Sequence, residues 1–108
     1  MFGNKKISFI GGGAMAEAMI SGLIRNDVIE KDSIYVSGPR QERLDLLEQL
    51  YGIITSTSNR EIACQGDILV LSIKPQVLEK IFIEINDCLK QEILILSIVA
   101  GAPISKIK

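Results

Sequence analysis

A chain of 108 residues has room for one domain with one core, here residues 1–108, and its hydrophobic fraction of 47% is ample for burial. The charged residues are dispersed and the formal net charge is −1, so the electrostatic footprint of a nucleic-acid binder is missing. No stretch suits a signal-peptide core or a bilayer span, which makes the cytoplasm the expected location and leaves no membrane partner.

Ile7 to Ile10 is a short apolar run that stops at three glycines, as a buried parallel strand entering a tight turn would. From Ala14 to about Arg25 the residues are strong helix formers, with Met15, Met19, Leu23 and Ile24 on a broad apolar side. Ser33 to Ser37 predicts a second strand. Gly38-Pro39 punctuates, and Pro39 suits the first residue of a helix through Leu50, in which Leu44, Leu47 and Tyr51 recur at helical spacing. Gly52 to Ser56 reads as a third strand and Asn59 to Cys64 as a helix of one to two turns. Asp67 to Ile73 is an apolar fourth strand. Pro75 opens a helix in which Val77, Leu78, Ile81, Phe82, Ile85 and Leu89 repeat at i, i+4 and i+8. Ile93 to Val99 is a fifth strand, so apolar that cover on both faces is expected. Cys64 and Cys88 lie far apart without a CxxC partner and read as half-buried thiols, a disulfide or a metal role being the alternative.

Strict alternation of strand and helix predicts an α/β fold: a Rossmann-type, doubly wound parallel sheet of order 3-2-1-4-5 with helices on both faces, three layers αβα. The chain has no histidine, which excludes a Ser-His-Asp triad, a histidine zinc site and a histidine general base within it. Its chemistry is therefore expected from a bound cofactor.

The glycines indicate which one. Gly11, Gly13 and Ala16 form G-x-G-x-x-A, directly after the first strand and at the opening of the first helix, the context in which that pattern binds a dinucleotide. Gly11 permits the sharp turn, Gly13 lets a pyrophosphate approach the backbone, and Ala16 lets the helix close on the sheet. The N–H groups and dipole of the helix then face the phosphates. NAD-binding domains usually end the second strand in Asp or Glu, for the ribose hydroxyls. Ser37, Gly38, Pro39 and Arg40 stand here instead, a hydroxyl, open amides and a guanidinium that suit the 2′-phosphate of NADP; Arg40 as a solvated first-turn residue is the alternative. Residues 72 to 75, including Lys74 and Pro75, are expected to line the crevice at the strand carboxyl ends, or else merely to start a helix. At the carboxyl end of the fifth strand, Ile98-Val99-Ala100-Gly101, small residues leave space for a ring or else merely form a strand-end turn.

Together "FIGGGAMAEAMISGLI", "SIKPQ" and "LSIVAGAPISKI" resemble, in order and spacing, the N-terminal domain of pyrroline-5-carboxylate reductase, over essentially all 108 residues. The resemblance implies NADP(H) contacts at Ile10, Gly11, Gly12, Gly13, Ala14 and Met15, at Ser37, Gly38 and Arg40, and at Asn59. It implies further contacts at Ser72, Ile73, Lys74 and Pro75, and at Ile98, Val99 and Ala100. Gly12 stands where that family commonly has alanine, Ser72-Ile73 where it often has Ala-Val, and Val99 where alanine is frequent. Enzymes of the family reduce 1-pyrroline-5-carboxylate to proline with hydride from NADPH. They are longer, with a helical C-terminal domain that forms the dimer and most of the substrate pocket. The present chain is accordingly expected to be a piece or a truncated reading frame, without a catalytic side chain of its own, homo-oligomeric when full length and liable to self-associate through its fifth strand. Two other readings stay open: another NADP oxidoreductase (an F420-dependent NADP reductase or a competence-associated paralogue), and a non-catalytic nucleotide-sensing module.

Overall fold

The computed structural model describes residues 5–97. Its elements are β1 (Ile7–Ile10), α1 (Ala14–Arg25), β2 (Ile34–Ser37), α2 (Gln41–Tyr51), β3 (Ile54–Ser56), α3 (Asn59–Ala63), β4 (Ile68–Leu71), α4 (Pro75–Ile85) and β5 (Leu94–Ser97). All strand pairs are parallel and the sheet order is β3-β2-β1-β4-β5, as the alternation predicts. Ile10 is level with Ser37 on one side and Leu71 on the other, so the carboxyl ends of the three central strands form one rim.

Pleating divides the core into two. Phe9, Ile34, Val36 and Val70 face α1 and α2, where they meet Ala16, Ile20, Leu44 and Leu47. Ile10, Leu69 and Leu71 face the other way, onto Ile62 and Ala63 of α3 and Ile81 and Ile85 of α4. A sheet covered on both faces needs continuous apolar strands, and that is why β1 and β4 lack alternation. Ser8 is the exception: fully buried in β1, it donates its hydroxyl to the Ile62 carbonyl at 2.7 Å and so ties α3 to the sheet.

Several boundaries differ from the sequence reading. The second helix starts at Gln41, not Pro39. The chain bends at Pro39 and Arg40 is still extended (φ −112, ψ 110), so the helix can begin only after it. The third strand loses its first residues because Gly52 (φ 72) closes α2, its N–H donating to the Glu48 carbonyl at 2.8 Å. The fourth helix passes at Asn86–Cys88 into a 3-10 turn, so Leu89 falls beyond it. The fifth strand is not covered on both faces among the described residues: Leu94, Ile95 and Leu96 are 54%, 37% and 43% exposed. Their apolarity reflects surface that no described element packs against. The expected stretch from Ile98 to Val99 lies outside the described residues.

Cys64 and Cys88 are a disulfide rather than two thiols. Cys64 ends α3 and Cys88 sits just past α4, and these helices pack side by side on one sheet face, which brings the two Cα atoms to 5.2 Å. An Arg60–Asp87 ion pair runs beside the bridge. Sequence spacing carries no trace of this pairing, because it depends on how two separate elements dock.

Candidate functional site

The glycine turn leaves β1 at the rim. Gly11 donates its N–H to the Ser37 carbonyl at 2.9 Å and has φ +105, and a Cβ on it would lie 2.3 Å from the Ser72 carbonyl oxygen. Both the backbone and the neighbouring strand end therefore require glycine there. Gly13 is different. Its φ of −79 and ψ of −169 suit any residue, and a Cβ on it would meet no atom within 4 Å. Nothing among the described residues demands glycine at 13, and the space before it is open among them.

That space lies at the N-terminus of α1. The first α1 bond of the turn runs from the Glu17 N–H to the Gly13 carbonyl at 3.0 Å, so the amides of Ala14, Met15 and Ala16 have no partner in the helix, and no side chain caps it. Ala16 is fully buried, which lets the helix end approach β1. An open cradle, unpartnered N–H groups and the positive helix end fit a pyrophosphate.

A cleft opens on each side of the turn. One, of about 430 Å³, runs between Gly12, Gly13, Gly38, Pro39 and the first turns of α2, including Arg40 and Arg43. The other, of about 390 Å³, lies over the switch point between β1 and β4 and is lined by Ile10, Gly11, Asn59, Ile73, Lys74 and Val77 among others. The described ones among the expected site residues thus gather around one rim. Ala14 and Met15 are exposed on the first turn of α1. Arg40 is largely free, its side chain 74% exposed and only 3.8 Å from the Glu42 carboxylate. Ser37 is fully buried and donates its hydroxyl to Asn59 Oδ1 at 2.7 Å, so within the protein it positions Asn59 at the cleft edge. Lys74 caps α4, exposed, with Pro75 at the first position of that helix, and the Ser72 N–H donates to the Ile10 carbonyl at 2.9 Å. Ile98, Val99 and Ala100 lie outside the described residues.

Three residues at the turn escape the sequence reading. Arg43 donates from Nε to the Gly12 carbonyl at 2.7 Å and from Nη2 to the Glu17 carboxylate at 2.7 Å. Tyr51 donates its hydroxyl to the other oxygen of Glu17, also at 2.7 Å. The Tyr51 hydroxyl and then the Arg43 guanidinium hold the Glu17 carboxyl below its ordinary value, and Glu17 in turn pushes the Tyr51 phenol up. The only sequence trace of this group is the spacing of Arg43, Leu47 and Tyr51 at i, i+4 and i+8, which puts them on one face of α2. Among the described residues no cluster of His, Cys, Asp and Glu could hold a metal, and no helix is long and apolar enough to cross a membrane.

Comparison with known proteins gives a consistent picture. A family model described as NADP oxidoreductase, coenzyme F420-dependent, matches residues 6–101. The pyrroline-5-carboxylate reductase of Methanosarcina acetivorans is 36% identical over 102 residues, 94% of this chain and 38% of that protein. A pyrroline-5-carboxylate reductase structure from Coxiella burnetii superposes with a TM-score of 0.84 at 32% identity, over 96% of this chain and 38% of that one. The Plasmodium falciparum pyrroline carboxylate reductase, solved with NADP bound, gives 0.74 at 28% identity, over 96% and 37%. The chain thus spans under two fifths of the length of these relatives.

Proposed function

The chain belongs to the family of NADP oxidoreductases, coenzyme F420-dependent, and from that premise we propose that it is the NADP(H)-binding domain, residues 1–108, of a pyrroline-5-carboxylate reductase. The observation that carries the cofactor reading is Gly13: a glycine that neither backbone nor packing requires, set before a helix end with free amides. The choice of imine reductase among the family's chemistries rests on the relatives, at 32–38% identity.

In this reading the turn from Gly11 to Met15 receives the pyrophosphate. Arg40, at the mouth of the cleft beside β2, receives the 2′-phosphate of the adenosine end, where an NAD-binding domain would hold a carboxylate. Asn59, fixed by Ser37, borders the second cleft, and Ile73 and Lys74 flank the nicotinamide end. When bound, reduced nicotinamide supplies a hydride to the imine carbon. The chain's own residues orient the dinucleotide, and no catalytic side chain is assigned among them. Most of the substrate pocket and the homo-oligomer interface belong to the further length that the relatives have, and the location is the cytoplasm.

The test is an assay of the full-length protein with 1-pyrroline-5-carboxylate and NADPH, expected to consume NADPH and form proline. Binding of NADPH without turnover of the imine would retain the cofactor reading and remove the reductase. Turnover of a reduced deazaflavin with NADP in place of the imine would move the protein to the other chemistry named in the family description. Failure to bind either nicotinamide cofactor would remove the whole reading.

A further inference from the structure

The Arg43–Glu17–Tyr51 group raises a question that the dinucleotide reading leaves open. Glu17 sits in the first turn of α1, at the helix end that would receive a pyrophosphate. A carboxylate there favours the empty helix through the macrodipole and opposes an anionic ligand through simple repulsion. Gly12 presents a second obstacle. Its carbonyl oxygen belongs to the turn whose N–H groups must point at the phosphates, and a peptide flip there would turn an acceptor toward an anion.

Arg43 meets both. One face of its guanidinium edge takes the Gly12 carbonyl and the other takes Glu17, each at 2.7 Å, and both side chains of the pair are more than two thirds buried. Tyr51 holds the second Glu17 oxygen, so the carboxylate is directed at α2 and away from the cradle. The helix face is fixed by its packing: Leu44 and Leu47 lie under Gly12, with Leu47 Cδ1 only 3.2 Å from where a Gly12 Cβ would be. Arg43 is therefore delivered to the turn by two buried anchors that follow it in sequence, Leu44 and Leu47, rather than by a free search of its rotamers.

We infer that Arg43 is a positioning residue for the dinucleotide turn: it neutralises Glu17 and pins the Gly12 carbonyl away from the pyrophosphate, without itself selecting between NADP and NAD. The inference rests on the dinucleotide reading above. It assigns Arg43 a different task from Arg40, whose guanidinium is exposed and holds no part of the turn.

Binding of NADPH and of NADH to the purified protein, in parallel with Arg43→Met, tests it. The variant is expected to weaken both cofactors by roughly tenfold or more, the scale of one lost charge-assisted hydrogen bond, and to move their ratio far less than it moves either affinity. Adding Glu17→Gln to Arg43→Met is expected to recover part of the loss, since the unneutralised carboxylate is then gone. A role confined to folding would show no such recovery. Loss of NADPH affinity alone would overturn the inference in favour of a direct 2′-phosphate contact, and so would unchanged binding or a failure of the double variant to recover. Should Arg43→Met not fold, Arg43→Lys carries the same test: one ammonium cannot hold Gly12 and Glu17 with the same fork, so both affinities fall together, and wild-type affinities would overturn the inference. If the unaltered protein binds neither cofactor, the dinucleotide reading itself has failed, an outcome distinct from all of these.

Discussion

Replacing Gly13 by alanine separates the demands of the fold from those of the ligand, because the structure assigns them very different magnitudes. The backbone at 13 is extended and an added Cβ meets nothing within 4 Å, so the folded state accepts the methyl group without strain. The unfolded chain loses freedom, worth about 0.4–1 kcal/mol in favour of folding, while alanine at the N-cap of α1 costs about as much, so the two nearly cancel. A net change under about 1 kcal/mol moves Tm by a few degrees at most. The same methyl group occupies the cradle. If it holds a pyrophosphate off two backbone N–H groups, at about 1.5–3 kcal/mol each, the loss is about 3–6 kcal/mol, or a hundredfold and more in affinity. Thermal melting and a fluorescence titration with NADPH on one preparation read both quantities, and Gly13→Val extends the series with a larger side chain. Gly11→Ala is the control: with φ +105 and a Cβ 2.3 Å from the Ser72 carbonyl, it should lower Tm sharply. An alanine at 13 that melts within a few degrees of the unaltered protein and still binds NADPH normally would refute the phosphate cradle.

Arg40→Ala should reduce NADPH affinity by about tenfold and leave NADH affinity nearly unchanged, as expected for one charge-assisted phosphate contact at an exposed site; equal affinity of the unaltered protein for the two cofactors would remove the basis for this. The Glu17, Asp67 and Asp87 carboxyls are all held below their ordinary values, Glu17 by Tyr51 and Arg43, Asp67 by the Lys6 N–H and then Lys90, Asp87 by Arg60. Depressed carboxyls contribute stability that is complete above their unfolded values and is lost as pH falls through the folded ones, so Tm should drop between about pH 5 and pH 2. Tyr51→Phe should make the Glu17 share of that drop smaller, and a flat profile in both proteins would contradict the assignment. Reduction of the Cys64–Cys88 bridge, which closes a separation of 24 residues, should lower stability by about 3 kcal/mol; full thiol titration with an unchanged melt would contradict that. The 108-residue chain should self-associate through the apolar edge of β5, and Ile95→Lys should suppress this; light scattering that finds only monomer at high concentration would count against it.

The layers of the fold are legible because they depend on local pattern. Apolar strands β1 and β4 announce burial on two faces, and the glycine turn announces where the first strand ends. Boundaries are less legible wherever one residue type serves two conformations. Pro39 fixes a φ that both an extended segment and a helix accept, and only the path of the chain past Gly38 decides that α2 begins at Gln41. Gly52 closes a helix or opens a strand equally well in sequence, and its positive φ assigns it to the helix end. For β5 the pattern misleads: an apolar run means that cover is wanted, not that it is supplied by the residues at hand.

Within the candidate site, the residues that sequence can propose are those whose expected role follows from their own neighbours along the chain, such as Gly11, Gly13 and Arg40. The missed ones act across elements. Arg43 matters because α2 lies over Gly12, Tyr51 because it stands two turns further along the same face, and Glu17 because both reach it. Tyr51 illustrates the limit. Its spacing with Leu44 and Leu47 makes it core, and its ring does pack there, yet its hydroxyl holds the Glu17 carboxylate in the first turn of α1. Periodicity identifies the face a side chain occupies, while the atom at its tip answers to whichever helix lies opposite. The Cys64–Cys88 bridge follows the same logic, being set by the docking of α3 beside α4 and not by any spacing between the two residues. A site assembled from a local turn and a non-local brace is therefore half visible from sequence, and the invisible half is the part that holds the turn in shape.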